Sequence, residues 1–324
     1  MKEEEEAFMH YLGIDLGGTN IAAGVVDEEY RIIARAKRKT SVPCEPSEIC
    51  GQLAETALEA LKNAGLSVDD IPYVGIGTPG TVDRERGVVE YSNNLYFKNL
   101  ELKKLLSDRL QKNVILENDA NAAAFGEYKA GALKGAENAL AITLGTGVGS
   151  GVIIGGKIYS GSNYAGGELG HTVIVAGGRP CTCGRKGCWE AYASATGLIA
   201  MTRDAMRKNE DSMLWELAGA LEKVDGRSAF EAMRAGDRTG KEVVDRYVFY
   251  LACGLTNCVN IFQPDILCVG GGVSNEGESL LEPLRKIISV ENYARNSSHQ
   301  TVICRAQLGN DAGILGAALL AAED

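Results

Sequence analysis

The feature that most limits the fold is a local plan used twice: an apolar strand runs into a glycine turn and returns at once as a second apolar strand. Tyr11-Leu-Gly-Ile-Asp15-Leu-Gly17-Gly18-Thr19-Asn20 is followed directly by Ile21-Ala-Ala-Gly-Val-Val26, which leaves no residues for a helix and predicts a β-hairpin. The plan returns with Asn138 to Thr143 as a strand, Gly145-Thr146-Gly147-Val148-Gly149 as the turn and Ser150 to Ile154 as the returning strand. This echo predicts a duplicated α/β fold.

The intervening chain reads as a third strand around Arg31 to Lys37, then an amphipathic helix from Pro46 to Ala64 closed by Gly65. Ile71 to Gly77 reads as a short strand ending in the turn Thr78-Pro79-Gly80-Thr81, followed by a polar loop with Asn93 and Asn94. Leu100 to Leu110 is expected to be helical, Val114 to Glu117 a strand, and the alanine-rich run Ala120 to Ala130 a helix. Near the C-terminus, Ile266 to Val269 reads as a buried strand feeding Gly270-Gly271-Gly272, and Gly313 to Ala322 as a small-residue helix. A chain of 324 residues, 45% hydrophobic, can build two domains. With no linker-like segment, the expected division is 1–120 plus a C-terminal helix at about 305–324, against 121–304.

Charge and hydropathy exclude several classes of function. The formal net charge of -10 repels phosphate backbones, so nucleic acid is not an expected partner. The acidic run Glu3 to Glu6 stands where an export signal would need a basic start, and no apolar run approaches the roughly 18 residues of a membrane span. The expectation is a cytoplasmic protein without membrane partners.

The glycine turns suit phosphate. Gly17, Gly18 and Thr19, with Asn20 after them, offer backbone N–H groups that a phosphate can approach without meeting a Cβ. Gly145, Thr146 and Gly147 repeat the device, and Gly271 and Gly272 follow a third strand. Three such turns suggest two domains closing on one nucleotide, with the last turn beside its adenosine; the turns mainly grip phosphate and leave ATP, another triphosphate or polyphosphate open as the donor. Asp15 at the first strand's end could hold Mg²⁺ directly or through water. Asp119 precedes the alanine-rich helix, where it could be an N-cap or a carboxylate kept ionised to accept a hydroxyl proton. The two roles are compatible.

Nine cysteines in a long chain point to metal binding, catalysis or plain packing rather than to disulfides. Six are scattered, but Cys181-Thr-Cys183-Gly-Arg-Lys-Gly-Cys188 places three thiols within eight residues, among glycines that permit tight turns. With His171 as a fourth ligand they form a closed tetrahedral set, which predicts a structural Zn²⁺ with no open position for a reactive water. Glu168 and Glu190 flank this segment, and acceptor-only carboxylates suit sugar hydroxyls.

Taken in order, Asp15-Leu-Gly-Gly-Thr-Asn20, Glu117-Asn-Asp-Ala-Asn121, Leu144-Gly-Thr-Gly-Val-Gly149, Glu168-Leu-Gly-His171 and the cysteine run through Glu190 resemble the signature of the ROK sugar kinases. The resemblance implies an actin-like ATPase (ribonuclease H-like) α/β fold, two domains with a cleft between them, and Asp119 as the general base. It implies sugar contacts at Gly80, Asn93, Asn118, Asp119, Glu168, His171 and Glu190, with one His171 nitrogen on zinc and the other on sugar. The run Cys188 to Thr196 is most similar to the glucose-phosphorylating members. The implied reaction is ATP-dependent phosphorylation of a hexose, glucose ahead of N-acetylmannosamine, N-acetylglucosamine, fructose or mannose; a sugar-sensing module without catalysis is the rival. The family also includes repressors with a helix-turn-helix domain ahead of the first loop, for which a first strand near residue 10 leaves no room. A homodimer or homotetramer is expected from the same resemblance.

Overall fold

The structure is a computed structural model and describes residues 9–323, so the acidic run Glu3 to Glu6 lies outside the described residues. The chain opens with β1 (Tyr11–Leu16), β2 (Asn20–Val26) and β3 (Ile32–Lys39), then helix α1 (Pro46–Asn63). Pro46 begins that helix where its missing N–H costs no hydrogen bond, and Ile49, Leu53, Ala57 and Ala60 form its buried face. Next come β4 (Val74–Thr78), β5 (Thr81–Asp83), β6 (Val88–Ser92), β7 (Phe97–Leu100), α2 (Leu102–Leu110), β8 (Val114–Asn118) and α3 (Asp119–Ala130). The chain continues through β9 (Ala139–Leu144), β10 (Val148–Ile154), β11 (Lys157–Ile158) and the helices α4 (Glu190–Ala193), α5 (Ala195–Lys208), α6 (Leu214–Ala218), α7 (Ser228–Arg234) and α8 (Arg238–Phe262). It ends with β12 (Ile266–Gly270), α9 (Glu278–Glu291), β13 (Val302–Arg305) and α10 (Ala312–Ala318).

The duplication is visible in the strand orders. One sheet runs β3-β2-β1-β4-β8 and the other β11-β10-β9-β12-β13, the same succession of hairpin and crossover strands. β1 pairs antiparallel with β2 and parallel with β4, which pairs parallel with β8. β12 likewise lies parallel between β9 and β13. The ends of β1, β4 and β8 therefore gather Asp15, the turn at Gly80, and Asn118 with Asp119 at one edge of the first sheet.

Residue contacts divide the chain into two compact units. The first holds the chain up to Gly135, then Gly151–Gly167 and the stretch from Leu308; the second holds Ala136–Ser150 and Glu168–Gln307. The expected break near residue 120 falls at the first turn of α3, which stays with the first unit because it packs on α10. That packing is very close. A Cβ on Gly75 would lie 1.7 Å from the carbonyl oxygen of Ala317, and one on Gly316 would lie 1.6 Å from that of Ala122. Gly313 sits against the Asp15 side chain, 3.0 Å from a Cβ to its carboxyl carbon.

Two stretches differ from the expectation. The polar loop with Asn93 and Asn94 is the turn of a three-stranded meander β5-β6-β7, whose short strands alternate too little to stand out in sequence. The chain between β11 and β12, unassigned in the sequence reading, is mostly helical: α8 is 25 residues long, capped where Asp237 accepts from the Gly240 N–H at 2.8 Å. Among the described residues no helix is long and apolar enough to cross a membrane.

Gly75→Ala is expected to destabilise the protein by about 3 kcal/mol through overpacking against α10. Gly65→Ala, at a positive φ in open space, should cost only about 1 kcal/mol; denaturant midpoints compare the two.

Candidate active site

In the first unit, the turn after β1 is closed by the Gly17 N–H donating to the Asn20 carbonyl at 2.9 Å. Thr40 fixes its outer side: its N–H donates to the Thr19 carbonyl at 2.9 Å, and its hydroxyl to that of Gly17 at 2.7 Å. The carbonyls of Gly17, Thr19 and Asn20 are thus occupied, whereas the N–H groups of exposed Gly18 and Thr19 meet no acceptor among the described residues. That polarity suits an anion.

Asp119 is the first residue of α3, and the cap is Asn118, a correction to the reading of Asp119 as the N-cap. The Asn118 side chain accepts from the Ala120 and Asn121 N–H groups at 2.9 and 3.2 Å and donates to the Gly80 carbonyl at 3.0 Å. Asp119 occupies the first turn, and its carboxylate accepts from the Ala120 N–H at 2.9 Å. Gly80 is conformationally required: its φ is +113°, and a Cβ there would lie 2.1 Å from the Tyr91 carbonyl oxygen. Exposed Asn93 accepts from the Tyr91 hydroxyl at 3.3 Å.

Burial, and then the neighbouring charge of Asp119, raise the Asp15 carboxyl to about 6. This places two carboxylates of one unit within electrostatic reach beside a glycine turn. A divalent cation would offset both burial and repulsion, so the donor set at Asp15 fits Mg²⁺.

Sequence reasoning missed the support beneath Asp119. Buried Glu117 accepts from the Asn118 N–H at 2.8 Å and from the Asn121 side chain at 2.9 Å, and it pairs with Arg84 at 3.2 Å. The four-residue spacing of Glu117 and Asn121 was a usable signal; the Arg84 pairing, more than thirty residues away, was not.

In the second unit, His171 Nδ1 lies 3.6 Å from the Cys181 sulfur, Cys183 and Cys188 sulfurs are 3.6 Å apart, and all four ligand atoms lie within 4.8 Å of one another. A tetrahedral zinc with bonds of about 2.0–2.3 Å separates its ligand atoms by about 3.5–3.8 Å. A disulfide would need about 2.05 Å, so these are free thiols. Local glycine geometry permits the convergence: Gly187 has φ +84°, and a Cβ there would lie 1.7 Å from the Val175 carbonyl oxygen. Burial pushes the Cys188 thiol up to about 12, whereas the Arg185 backbone N–H holds that of Cys183 below its ordinary value. Metal uptake would therefore have to displace protons.

Glu190 ties this segment to the second glycine turn. Its carboxylate accepts from the Val148 N–H at 3.1 Å and from the Thr182 hydroxyl at 3.2 Å, and a Cβ on Gly147 would lie 2.3 Å from its oxygen. The far side of the turn is held by α5: the Ala195 N–H donates to the Gly145 carbonyl at 2.9 Å and the Thr196 hydroxyl to that of Thr146 at 2.8 Å. The N–H groups of Thr146 and Gly147 meet no acceptor among the described residues, matching the first turn. Glu168 is exposed, and its carbonyl accepts from the His171 N–H at 3.1 Å. Gly271, after β12, has φ +82° and lies against Leu144, with Gly272 in open space beside it.

A pH-dependent stability follows from Asp15. Below its ordinary value of 3.8 the carboxyl is protonated whether folded or not; as pH rises to about 6 only the unfolded chain releases the proton readily, so the native state loses stability and stays weaker above. In metal-free protein, Asp15→Asn should add about 2–3 kcal/mol above pH 6, a gain that shrinks towards pH 4. Urea unfolding at several pH values measures it.

Among known proteins, the family model described as ROK family matches residues 11–324. A glucokinase of Thermotoga maritima is 41% identical over 314 residues, covering 96% of this chain and 97% of the relative. A glucokinase of Streptomyces coelicolor is 38% identical over 315 residues, with the same coverage. The crystal structure of a ROK family glucokinase from Streptomyces griseus in complex with glucose and AMPPNP matches with a TM-score of 0.80 at 36% identity, over 97% of this chain and 100% of that one. The duplicated sheets are those of the actin-like ATPase fold, and a family match spanning nearly every residue from β1 onwards makes the chain a member of the ROK family.

Proposed function

We propose that the protein is an ATP-dependent hexokinase that converts glucose to glucose 6-phosphate. The observation that carries this reading is Asp119 in the first turn of α3, within electrostatic reach of Asp15 and in the same unit as a glycine turn with two unclaimed N–H groups. Near full-length likeness to glucokinases supports the choice of sugar and of donor.

In this reading the N–H groups of Gly18, Thr19, Thr146 and Gly147 receive phosphate oxygens of ATP, and the turn at Gly271 and Gly272 lies by the adenosine. The sugar's 6-hydroxyl oxygen forms a bond to the γ-phosphorus as the bond to the ADP oxygen breaks, and the hydroxyl proton passes to the Asp119 carboxylate. Mg²⁺ held at Asp15 would neutralise charge on the phosphates. Gly80, Asn93, Asn118, Glu168, His171 and Glu190 are the proposed sugar contacts. Asn118 and Gly80 hold one another, which keeps that wall of the site rigid.

Zn²⁺ at His171, Cys181, Cys183 and Cys188 is read as structural, since four protein ligands close its shell. With Nδ1 facing the thiols, Nε2 of His171 is left to donate to a sugar oxygen. A cytoplasmic location and self-association as a dimer or tetramer complete the proposal. Exposed Ile261 on α8, with the Tyr293 N–H donating to the neighbouring Asn260 side chain, and exposed Phe249 on the same helix are apolar surface available for the latter.

Asp119→Asn is expected to lower kcat by about 10²–10⁴ while glucose and ATP still bind; normal turnover by the folded variant would sink the base assignment. Coupled ADP release with glucose, mannose, fructose and the two N-acetylated hexosamines tests the substrate: a higher kcat/KM for another sugar replaces glucose, and binding without ADP release supports a sensing module. Cys183→Ser is expected to lose zinc and to raise the glucose KM. An unchanged KM in verified zinc-free protein refutes the structural coupling.

A further inference from the structure

We infer that the second unit carries an anion pocket outside the sugar-kinase machinery, built to take the phosphate group of a small molecule. A cavity of about 190 Å³ lies between the zinc segment, α5 and α8, with Arg179, Lys208, Asn209 and Arg246 in its lining beside the carboxylates of Asp204 and Glu242. Arg179 leaves the zinc segment two residues before Cys181. Its N–H donates to the Tyr192 hydroxyl at 2.7 Å and its guanidinium packs 5.4 Å from the Tyr192 ring centre, so its direction is fixed.

The donors there outnumber the acceptors. Arg179 Nη2 reaches Asp204 only at 3.5 Å, and its Nη1 is buried with no hydrogen-bond partner among the described residues. Asp204 is nearer to Arg207, at 3.0 Å, and Glu242 is taken by Arg238 at 2.9 Å. Lys208 and Arg246 form no ion pair among the described residues. Three cationic side chains around a cavity whose two carboxylates are paired with Arg207 and Arg238 call for a ligand that only accepts, carries negative charge and offers several oxygens. Phosphate meets all three conditions. The volume falls below the roughly 300–1,000 Å³ of pockets that enclose drug-sized ligands, which favours a phosphate ion or the phosphate end of a sugar phosphate over a nucleotide. Because Arg179 and Cys181 share a short segment, occupancy would also tighten the metal-binding turn.

The test uses full-length, zinc-loaded protein titrated with inorganic phosphate, against chloride at equal ionic strength. Binding is followed by calorimetry and by hydrogen exchange of the amides from Arg179 to Cys183. Saturable binding at millimolar phosphate with slowed exchange there is expected, weakened about tenfold or more in Lys208→Gln/Arg246→Gln. Both side chains are exposed, so the double variant should keep its fold, zinc content and sugar turnover. A parallel titration with glucose 6-phosphate separates the sources: tighter binding than phosphate that falls with the same variant assigns the pocket to a sugar phosphate, and weaker binding assigns it to the free ion. Absence of saturable binding, or phosphate affinity and exchange unaltered by the double substitution, overturns the proposal. None of these readouts depends on catalysis, so they stand or fall separately from the hexokinase reading.

Discussion

The first unit depends on the close seating of α10 against β1, β4 and α3. At Gly13, Gly75, Gly126 and Gly316 the opposing backbone comes so near that a methyl group would strike a carbonyl oxygen. Small residues here do more than fill space, because the approach they allow sets the depth at which β1 ends and α3 begins. Asp15 and Asp119 sit at those two ends, and Gly313 of α10 touches the Asp15 side chain. The raised proton affinity of Asp15 is thus a consequence of helix packing: burial contributes most and Asp119 adds to it.

In the second unit the corresponding constraint is polar. Glu190 accepts from the Val148 backbone and from Thr182, joining the second glycine turn to the cysteine segment. A carboxylate with both oxygens engaged holds its orientation, so the segment and the turn cannot shift independently. Glu190 stands only two residues beyond Cys188, and a metal that fixed Cys188 would also fix this joint. The segment therefore has a reason to be ordered that goes beyond local stability.

The two turns illustrate one solution reached twice. In each, hydrogen bonds occupy the carbonyls on the outer side, from Thr40 in one unit and from Ala195 and Thr196 in the other. In each, two backbone N–H groups are left without acceptors among the described residues. Leaving donors exposed costs little in water and keeps the N–H groups preorganised for an anion, since no side chain would have to be ordered to receive one.

Local chemistry was readable in the sequence alone. The hairpins, the three glycine turns, the cysteine spacing and the helix after Asp119 are fixed by neighbours within a few residues, and their roles follow from backbone freedom, thiol convergence and helix propensity. What involved distant residues was not readable: that Asn118, which also reaches Gly80, caps α3; that Arg84 supports Glu117; that α3 stays with the first unit, because α10 packs on it; and that Arg179 lines one cavity with Lys208 and Arg246. Each of these depends on which segments approach one another in three dimensions, and periodicity within a segment carries no information about that approach. The sequence by itself determined which groups could bind phosphate, metal and sugar; only the tertiary structure decided which of them stand together, because burial and proximity set their charge and direction.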